Sequence, residues 1–204
     1  MQSIGTNPAT TTIEEHMEGQ TFWQKAWHWF KYFGSLFIIG LLLRYLVFTP
    51  FYVDGPSMEP NFHNKEYMLI SKLSYRLQEP HRGDPIVFRP PIAPRDTWIK
   101  RIIGLPGEEI TIKDGKVYIN GKLLKEDYLS DDIKTLFSDS TTPYQIKLKN
   151  DQYFLMGDNR ESSYDSREIG PVPKINIVGK AWIVLFPPQD IRLPGTGQSQ
   201  VIAQ

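Results

Sequence analysis

Glu109-Ile110-Thr111-Ile112-Lys113-Asp114-Gly115-Lys116-Val117-Tyr118-Ile119-Asn120-Gly121-Lys122-Leu123-Leu124 decides the fold class of this chain. Apolar residues alternate with polar ones along it, and Asp-Gly and then Asn-Gly interrupt the alternation. Both dipeptides tolerate the positive φ that a tight hairpin turn demands, so they join runs that alternate with period two. The segment reads as a three-stranded antiparallel meander. Working outward, Tyr67–Ile70, Ile86–Phe88, Thr97–Ile103, Tyr144–Leu148, Gln152–Met156 and Ala181–Phe186 are further short apolar runs bounded by turn residues. The expected fold is mainly β.

Composition agrees. The 204 residues suit one domain with a small appendage, and 13% aromatic residues with 16 prolines fit strands and turns better than a helical bundle. Lys plus Arg and Asp plus Glu number 23 each, so there is no basic excess for nucleic acid. The absence of cysteine excludes disulfides, thiol nucleophiles and cysteine–zinc sites. His16, His28, His63 and His81 show no ligand spacing, so no metal is expected.

Before the β region lies a different kind of sequence. Residues 1–21 are polar, without apolar periodicity, and read as a disordered tail. Phe22, Trp23, Trp27, Trp29, Phe30 and Tyr32 then crowd together like an interfacial belt. Tyr32 to Val53 is 22 residues with one charge, Arg44, which is long enough for a bilayer crossing. A core helix rarely stays apolar all round for this length, and the small-x-small site of a cleaved signal peptide is missing at Thr49-Pro50-Phe51-Tyr52-Val53. Residues 22–49 are therefore expected to be a transmembrane anchor. Lys25 and Lys31 precede the span, which places the N-terminus in the cytoplasm and the rest outside.

Three segments carry candidate chemistry. In Trp98-Ile99-Lys100-Arg101-Ile102, strand alternation sets Lys100 between Trp98 and Ile102, with Arg101 facing the other way. Desolvation lowers a lysine pKa, and moving it from ~10.4 to near 7.5 costs about 4 kcal/mol. Taken alone, Lys100 is better explained by a strand lysine reaching to water. Ser57 lies in Val53-Asp54-Gly55-Pro56-Ser57-Met58-Glu59-Pro60, where Gly55 permits close approach and two prolines stiffen the loop. Glu59 occupies the second glycine position of a Gly-x-Ser-x-Gly elbow, which excludes that motif. The third segment, Gly157-Asp158-Asn159-Arg160-Glu161-Ser162-Ser163-Tyr164-Asp165-Ser166-Arg167, is too polar for a core strand. Asp165 and Arg167 can pair across it, and its serines can orient a neutral lysine.

In this order, after one apolar span, these segments and Arg82-Gly83-Asp84 resemble the type I signal peptidases of bacteria and organelles. The likeness covers roughly residues 33–190. It implies a β-rich catalytic domain, residues 50–107 and 151–190, with a small β insert at 108–150, preceded by one transmembrane helix; the residues beyond, 191–204, read as a loose tail. It implies that Ser57 is the nucleophile, Lys100 the general base, Ser163 the residue orienting the lysine, and Asp165 with Arg167 a structural ion pair. Gly55 stands where some members carry a hydroxyl for the oxyanion hole, which leaves that task to the Ser57 N–H and a further donor. Asn61 stands where many members have Thr.

The resemblance further implies a membrane-bound serine endopeptidase that removes signal peptides from secreted preproteins, monomeric and without a cofactor. It would sit in the plasma (inner) membrane with its catalytic domain on the outer or periplasmic face. Val53, Met58, Phe62, Trp98 and Ile99 are the expected walls of pockets for small residues at the first and third positions before the cut. Self-cleaving repressors and translesion factors use a similar Ser-Lys pair, but they carry a DNA-binding or short flexible arm in place of a span. A membrane-tethered β scaffold without activity is the non-enzymatic alternative, and the presence of both Ser57 and Lys100 argues against it.

Overall fold

The computed structural model describes residues 22–130, 132–137, 143–195 and 199–201. The expected disordered tail, 1–21, lies outside the described residues. The chain divides into two compact units, residues 1–45 and 46–204.

The first unit is a single described helix, α1 (Phe22–Leu46), which continues one residue into the second. Trp23, Trp29, Phe33, Phe37 and Ile39 are all exposed, so apolar side chains emerge on every side of it. Lys25, His28 and Lys31 share its first half with aromatic residues, and Arg44 lies in its last turn. Among the described residues, no helix is long and apolar enough to cross a membrane. The expected anchor boundary at residue 49 also needs correction. The helix stops at Leu46, and Phe48–Tyr52 forms strand β1. Pro50 explains the change: it lacks an N–H, and it pushes Thr49 toward extended backbone.

The second unit is built from two antiparallel sheets. The larger contains β1, β2 (Tyr67–Ser71), β3 (Pro85–Phe88), β4 (Trp98–Gly104), β9 (Gln152–Met156), β10 (Val172–Pro173) and β11 (Ile177–Phe186). Its strand order is β1-β2-β11-β3-β4-β9-β10. The smaller contains β5 (Glu109–Lys113), β6 (Lys116–Ile119), β7 (Lys122–Glu126), β8 (Tyr144–Lys147) and β12 (Ser199–Val201), ordered β12-β7-β6-β5-β8. Here the expected meander is β5-β6-β7. Asp114, Gly115, Asn120 and Gly121 all adopt positive φ at its two turns, the conformation that two-residue hairpin loops require.

Alternation determines where these strands bury side chains. Ile110 and Ile112 of β5 and Val117 and Ile119 of β6 join Ile103, Phe154 and Met156 in one core cluster. The small sheet thus packs on the ends of β4 and β9. Gly104 makes the close approach possible, because a Cβ there would lie 2.5 Å from Ile110 Cδ1 and 2.9 Å from Phe154 Cβ.

The chain end departs from the expected loose tail. Val184 and Arg192 form an antiparallel bridge, and Ser199–Val201 pairs with Glu126–Leu124 as the edge strand beside β7. An open strand edge offers unpaired N–H and C=O groups, and those of β7 recruit this segment. Arg192 adds side-chain anchoring. It donates to the Asn61 carbonyl at 2.8 Å and to Glu66 Oε2 at 3.0 Å, and its guanidinium lies 5.8 Å from the Phe62 ring centroid.

Candidate active site

Two loops and one strand meet at the candidate site. Ser57 lies in the long connection between β1 and β2. The hairpin register closes at Tyr52 opposite Tyr67. Beyond it, Val53 N–H donates to Glu66 C=O and Lys65 N–H to Val53 C=O, both at 2.9 Å. Gly55, with φ near 100°, turns the chain away and donates to Asn64 Oδ1 at 3.0 Å. Val53, Met58 and Phe62 are buried in the core cluster under this loop. Burying each such side chain stabilises by about 1.5–3 kcal/mol, so the loop carrying Ser57 is pinned from below.

Lys100 lies on β4, opposite Ile86 of β3. On the other side Arg101 pairs with Met156 of β9, which brings the next residue, Gly157, level with Lys100. Lys100 Nζ donates to Ser57 Oγ at 2.8 Å and to the Ile99 carbonyl at 3.0 Å. The Trp98 ring centroid is 5.9 Å from the same nitrogen. Lys100 is 4% exposed, and this burial pulls its pKa down to about 8 against the opposing pull of Asp165 and Asp158, with the Arg167 charge lowering it further.

The third segment clasps the other two. Asn159 N–H donates to the Ser57 carbonyl at 3.1 Å, and Asn159 Nδ2 to the Pro56 carbonyl at 3.2 Å. Gly157 sits so close that an added Cβ would lie 2.4 Å from the Ser57 carbonyl oxygen and 2.2 Å from Ser163 Oγ. Asp165, fully buried, accepts from Gly157 N–H at 2.9 Å, Ser163 Oγ at 2.8 Å and both Arg167 Nε and Nη2 at 2.9 Å. Burial alone would raise the Asp165 carboxyl. The hydrogen bonds and charge of Arg167, with those from Gly157 and Ser163, outweigh it and hold the group below its ordinary value. Asp165 also caps the short helix α3 (Ser166–Ile169; α2 is Ser74–Leu77) in a capping box with Glu168.

The structure brings Ser57, Lys100, Ser163, Asp165 and Arg167 together, while Gly55 turns the Ser57 loop against Asn64 and does not line the cleft. Trp98 and Ile99 line a cleft of about 570 Å³ together with Ser57, Lys100, Phe51, Tyr52, Asp54, Arg95, Asp96, Thr97 and Tyr164. Val53, Met58 and Phe62 do not line it, because their apolar side chains turn into the core behind the Ser57 loop. Among the described residues Ser163 makes no hydrogen bond to Lys100, and its hydroxyl proton goes to Asp165 instead. A carboxylate is the stronger acceptor within reach. No group of three or more metal-ligating side chains comes together among the described residues.

Other pairings around the site are found only in three dimensions. Arg101, 2% exposed, pairs with buried Asp158 through Nε at 2.7 Å and through Nη2, and donates to the Gly83 carbonyl at 2.8 Å. Its guanidinium also lies 4.1 Å from the Tyr128 ring centroid. Asn61 Nδ2 donates to Asp158 Oδ2 at 3.0 Å and to the Tyr128 carbonyl at 2.9 Å. Arg160 binds Glu126 and Thr135 of the small-sheet region. Strand alternation placed Arg101 opposite Lys100. Nothing local identified its partner, because Asp158 lies in a separate loop.

Residues 26–186 match the family model described as signal peptidase, peptidase S26. Among curated proteins, the chain is 38% identical over 158 residues to a probable signal peptidase I-2 of a Synechocystis species, covering 74% of this chain and 68% of the relative. It is 36% identical over 169 residues to a signal peptidase I of Bacillus amyloliquefaciens, covering 80% of this chain and 90% of that one. It is 35% identical over 170 residues to signal peptidase I S of Bacillus subtilis, covering 80% and 91%. With a serine and a buried lysine in contact where two loops converge, and this family matched over most of its length, the chain belongs to the type I signal peptidases, peptidase family S26.

Proposed function

We propose that Ser57 is the nucleophile and Lys100 its general base in the removal of N-terminal signal peptides from secreted preproteins. The 2.8 Å contact between Lys100 Nζ and Ser57 Oγ carries this reading. A lysine can take a proton only when neutral, and a pKa of about 8 leaves roughly a quarter of the enzyme in that state at pH 7.5.

Neutral Lys100 removes the Ser57 proton as Oγ attacks the scissile carbonyl. The resulting ammonium gives that proton to the leaving amine, and an ester links Ser57 to the signal-peptide end. Neutral again, Lys100 takes a proton from water, whose oxygen attacks the ester. The protonated lysine then returns the proton to Ser57 Oγ, and the signal peptide leaves as a carboxylic acid. The Ser57 N–H and a further donor stabilise the oxyanion. Asp165 and Arg167 brace the loop, and Ser163 acts on the lysine through Asp165. The substrate lies extended along the cleft, with small side chains at the first and third positions before the cut against Trp98 and Ile99.

Our proposal extends to location. Helix α1 has 25 residues, about 37 Å at 1.5 Å per residue, and exposes apolar side chains all round. Taken alone, α1 is not long and apolar enough to cross a membrane; the charge-free run Phe33–Leu43 within it and the family to which the chain belongs support its assignment as a single-pass anchor of the plasma membrane, N-terminus cytoplasmic and catalytic unit outside. A tethered enzyme meets a tethered preprotein at raised effective concentration.

Preprotein cleavage by Ser57→Ala and Lys100→Ala variants tests the chemistry: each abolishes processing, and full activity in either removes the assignment. Alkaline extraction of membranes and protease protection test the location. Release of intact enzyme into the supernatant refutes the anchor.

A further inference from the structure

Ser163 and Asp165 are joined by a 2.8 Å hydrogen bond, so both side chains turn into the protein. Tyr164 stands between them and turns outward, over the cleft that holds Ser57 and Lys100. It is 54% exposed, and its hydroxyl has no hydrogen-bond partner among the described residues. Its ring packs edge-on against Trp98, with centroids 5.9 Å apart. Trp98 in turn lies 5.9 Å from Lys100 Nζ. The two aromatic rings are therefore contiguous at the wall of the cleft that Lys100 also lines, with Trp98 beside the amine.

We propose that Tyr164 is a positioning residue for the peptidase reaction, acting through Trp98 to shield the Lys100 amine from the water in the cleft. This inference rests on the assignment of Lys100 as base. The ring, not the hydroxyl, is the active part: it holds Trp98 in place and occupies room that water would fill. Desolvation is the largest influence on Lys100, so a thinner cover acts on it directly. The other charged groups around the lysine stay constant in the test. Asp165 and Asp158 favour its charged form, and Arg167 disfavours it. Asp54, Arg95 and Asp96 line the same cleft.

The experiment compares wild type, Tyr164→Phe and Tyr164→Ala by kcat/KM against pH with a fluorogenic signal-peptide substrate carrying alanine at the first and third positions before the cut. In Tyr164→Ala the rising limb moves up by about half a pH unit or more, which lowers kcat/KM at pH 7 about threefold. Tyr164→Phe keeps the wild-type limb. A loss of folded enzyme scales the whole profile without moving the limb, so a folding defect cannot imitate the result. An unmoved limb in Tyr164→Ala overturns the inference, including the case in which only KM rises. An equal shift in Tyr164→Phe also overturns it, because the hydroxyl is then responsible. Lys100→Ala separates the two proposals: if it retains activity the base assignment fails, whereas an inactive Lys100→Ala with an unmoved Tyr164→Ala limb condemns this inference alone.

Discussion

Gly157→Ala is the substitution that probes the seating of the nucleophile most directly. The new methyl would lie 2.4 Å from the Ser57 carbonyl oxygen, 2.2 Å from Ser163 Oγ and 2.5 Å from Ser163 Cβ. Ordinary contacts begin above about 3.4 Å, so a gap of roughly 1 Å must open on each side. Ser163 is bound to Asp165, and Asp165 is locked to Arg167 and the Gly157 N–H itself. Neither side yields freely, so the strain is shared, and the Ser57 carbonyl is pushed away as well, stretching its 3.1 Å bond from Asn159 N–H. A displacement of about 1 Å at a reacting group costs on the order of 10²-fold in rate, or about 2.7 kcal/mol of activation free energy. The loss falls on the acylation step. Single-turnover cleavage of a saturating peptide substrate reads it as a slower first-order rate, while urea midpoints record the accompanying loss of stability. A Gly157→Ala enzyme with wild-type acylation would refute the claim that the Gly157 loop seats Ser57.

Three other outcomes follow from the buried charges. Lys100→Met abolishes cleavage yet raises the urea midpoint at pH 7, because burying a charged ammonium destabilises the native state. The folded pKa of about 8 lies below the unfolded value near 10.5, so the unfolded chain binds more protons between them and wild-type stability climbs with pH across that window, by up to about 3 kcal/mol. A flat stability profile from pH 8 to 10 in wild type speaks against a depressed lysine. Arg167→Ala leaves the Asp165 carboxylate buried and unpaired, and denaturant melts should show a loss of about 3–5 kcal/mol. Asp165 is held below its ordinary value, so its contribution is complete above about pH 4 and fades as pH falls through the folded pKa. The gap between wild type and Arg167→Ala should therefore narrow in acid, and an unchanged gap contradicts it. Arg192→Ala strands Glu66, which is 1% exposed and whose Oε1 has only the charge of Arg192 Nη1 at 2.9 Å, without hydrogen-bond alignment. It should lower the thermal midpoint, and adding Glu66→Gln should restore part of the loss. Failure of that double variant to recover places the effect in the packing of Arg192 on Phe62 instead.

Local chemistry explains which features are legible in the sequence. The Asp-Gly and Asn-Gly turns lie where β5, β6 and β7 meet, because positive φ is a property of a few residue types at their own positions. Alternation along β4 separated Lys100 from Arg101 for the same reason. Helix α1 is legible as an apolar run, but its end at Leu46 is not: Pro50 carries the only signal, and the apolar residues on either side obscure it. The chain end read as loose because Ser199–Val201 has no strand pattern of its own and becomes a strand through the β7 edge.

What the sequence by itself determined is the β architecture of the insert, the order of the chemical segments and the two residues worth pairing, Ser57 and Lys100. Tertiary structure decided the rest of the site. It placed the amine 2.8 Å from the hydroxyl, gave Ser163 to Asp165, paired Arg101 with Asp158 and moved Val53, Met58 and Phe62 out of the cleft into the core. The physical reason is that turns and alternation depend on neighbours along the chain. The dryness of a lysine and the partner of a buried charge depend on side chains that only folding brings together.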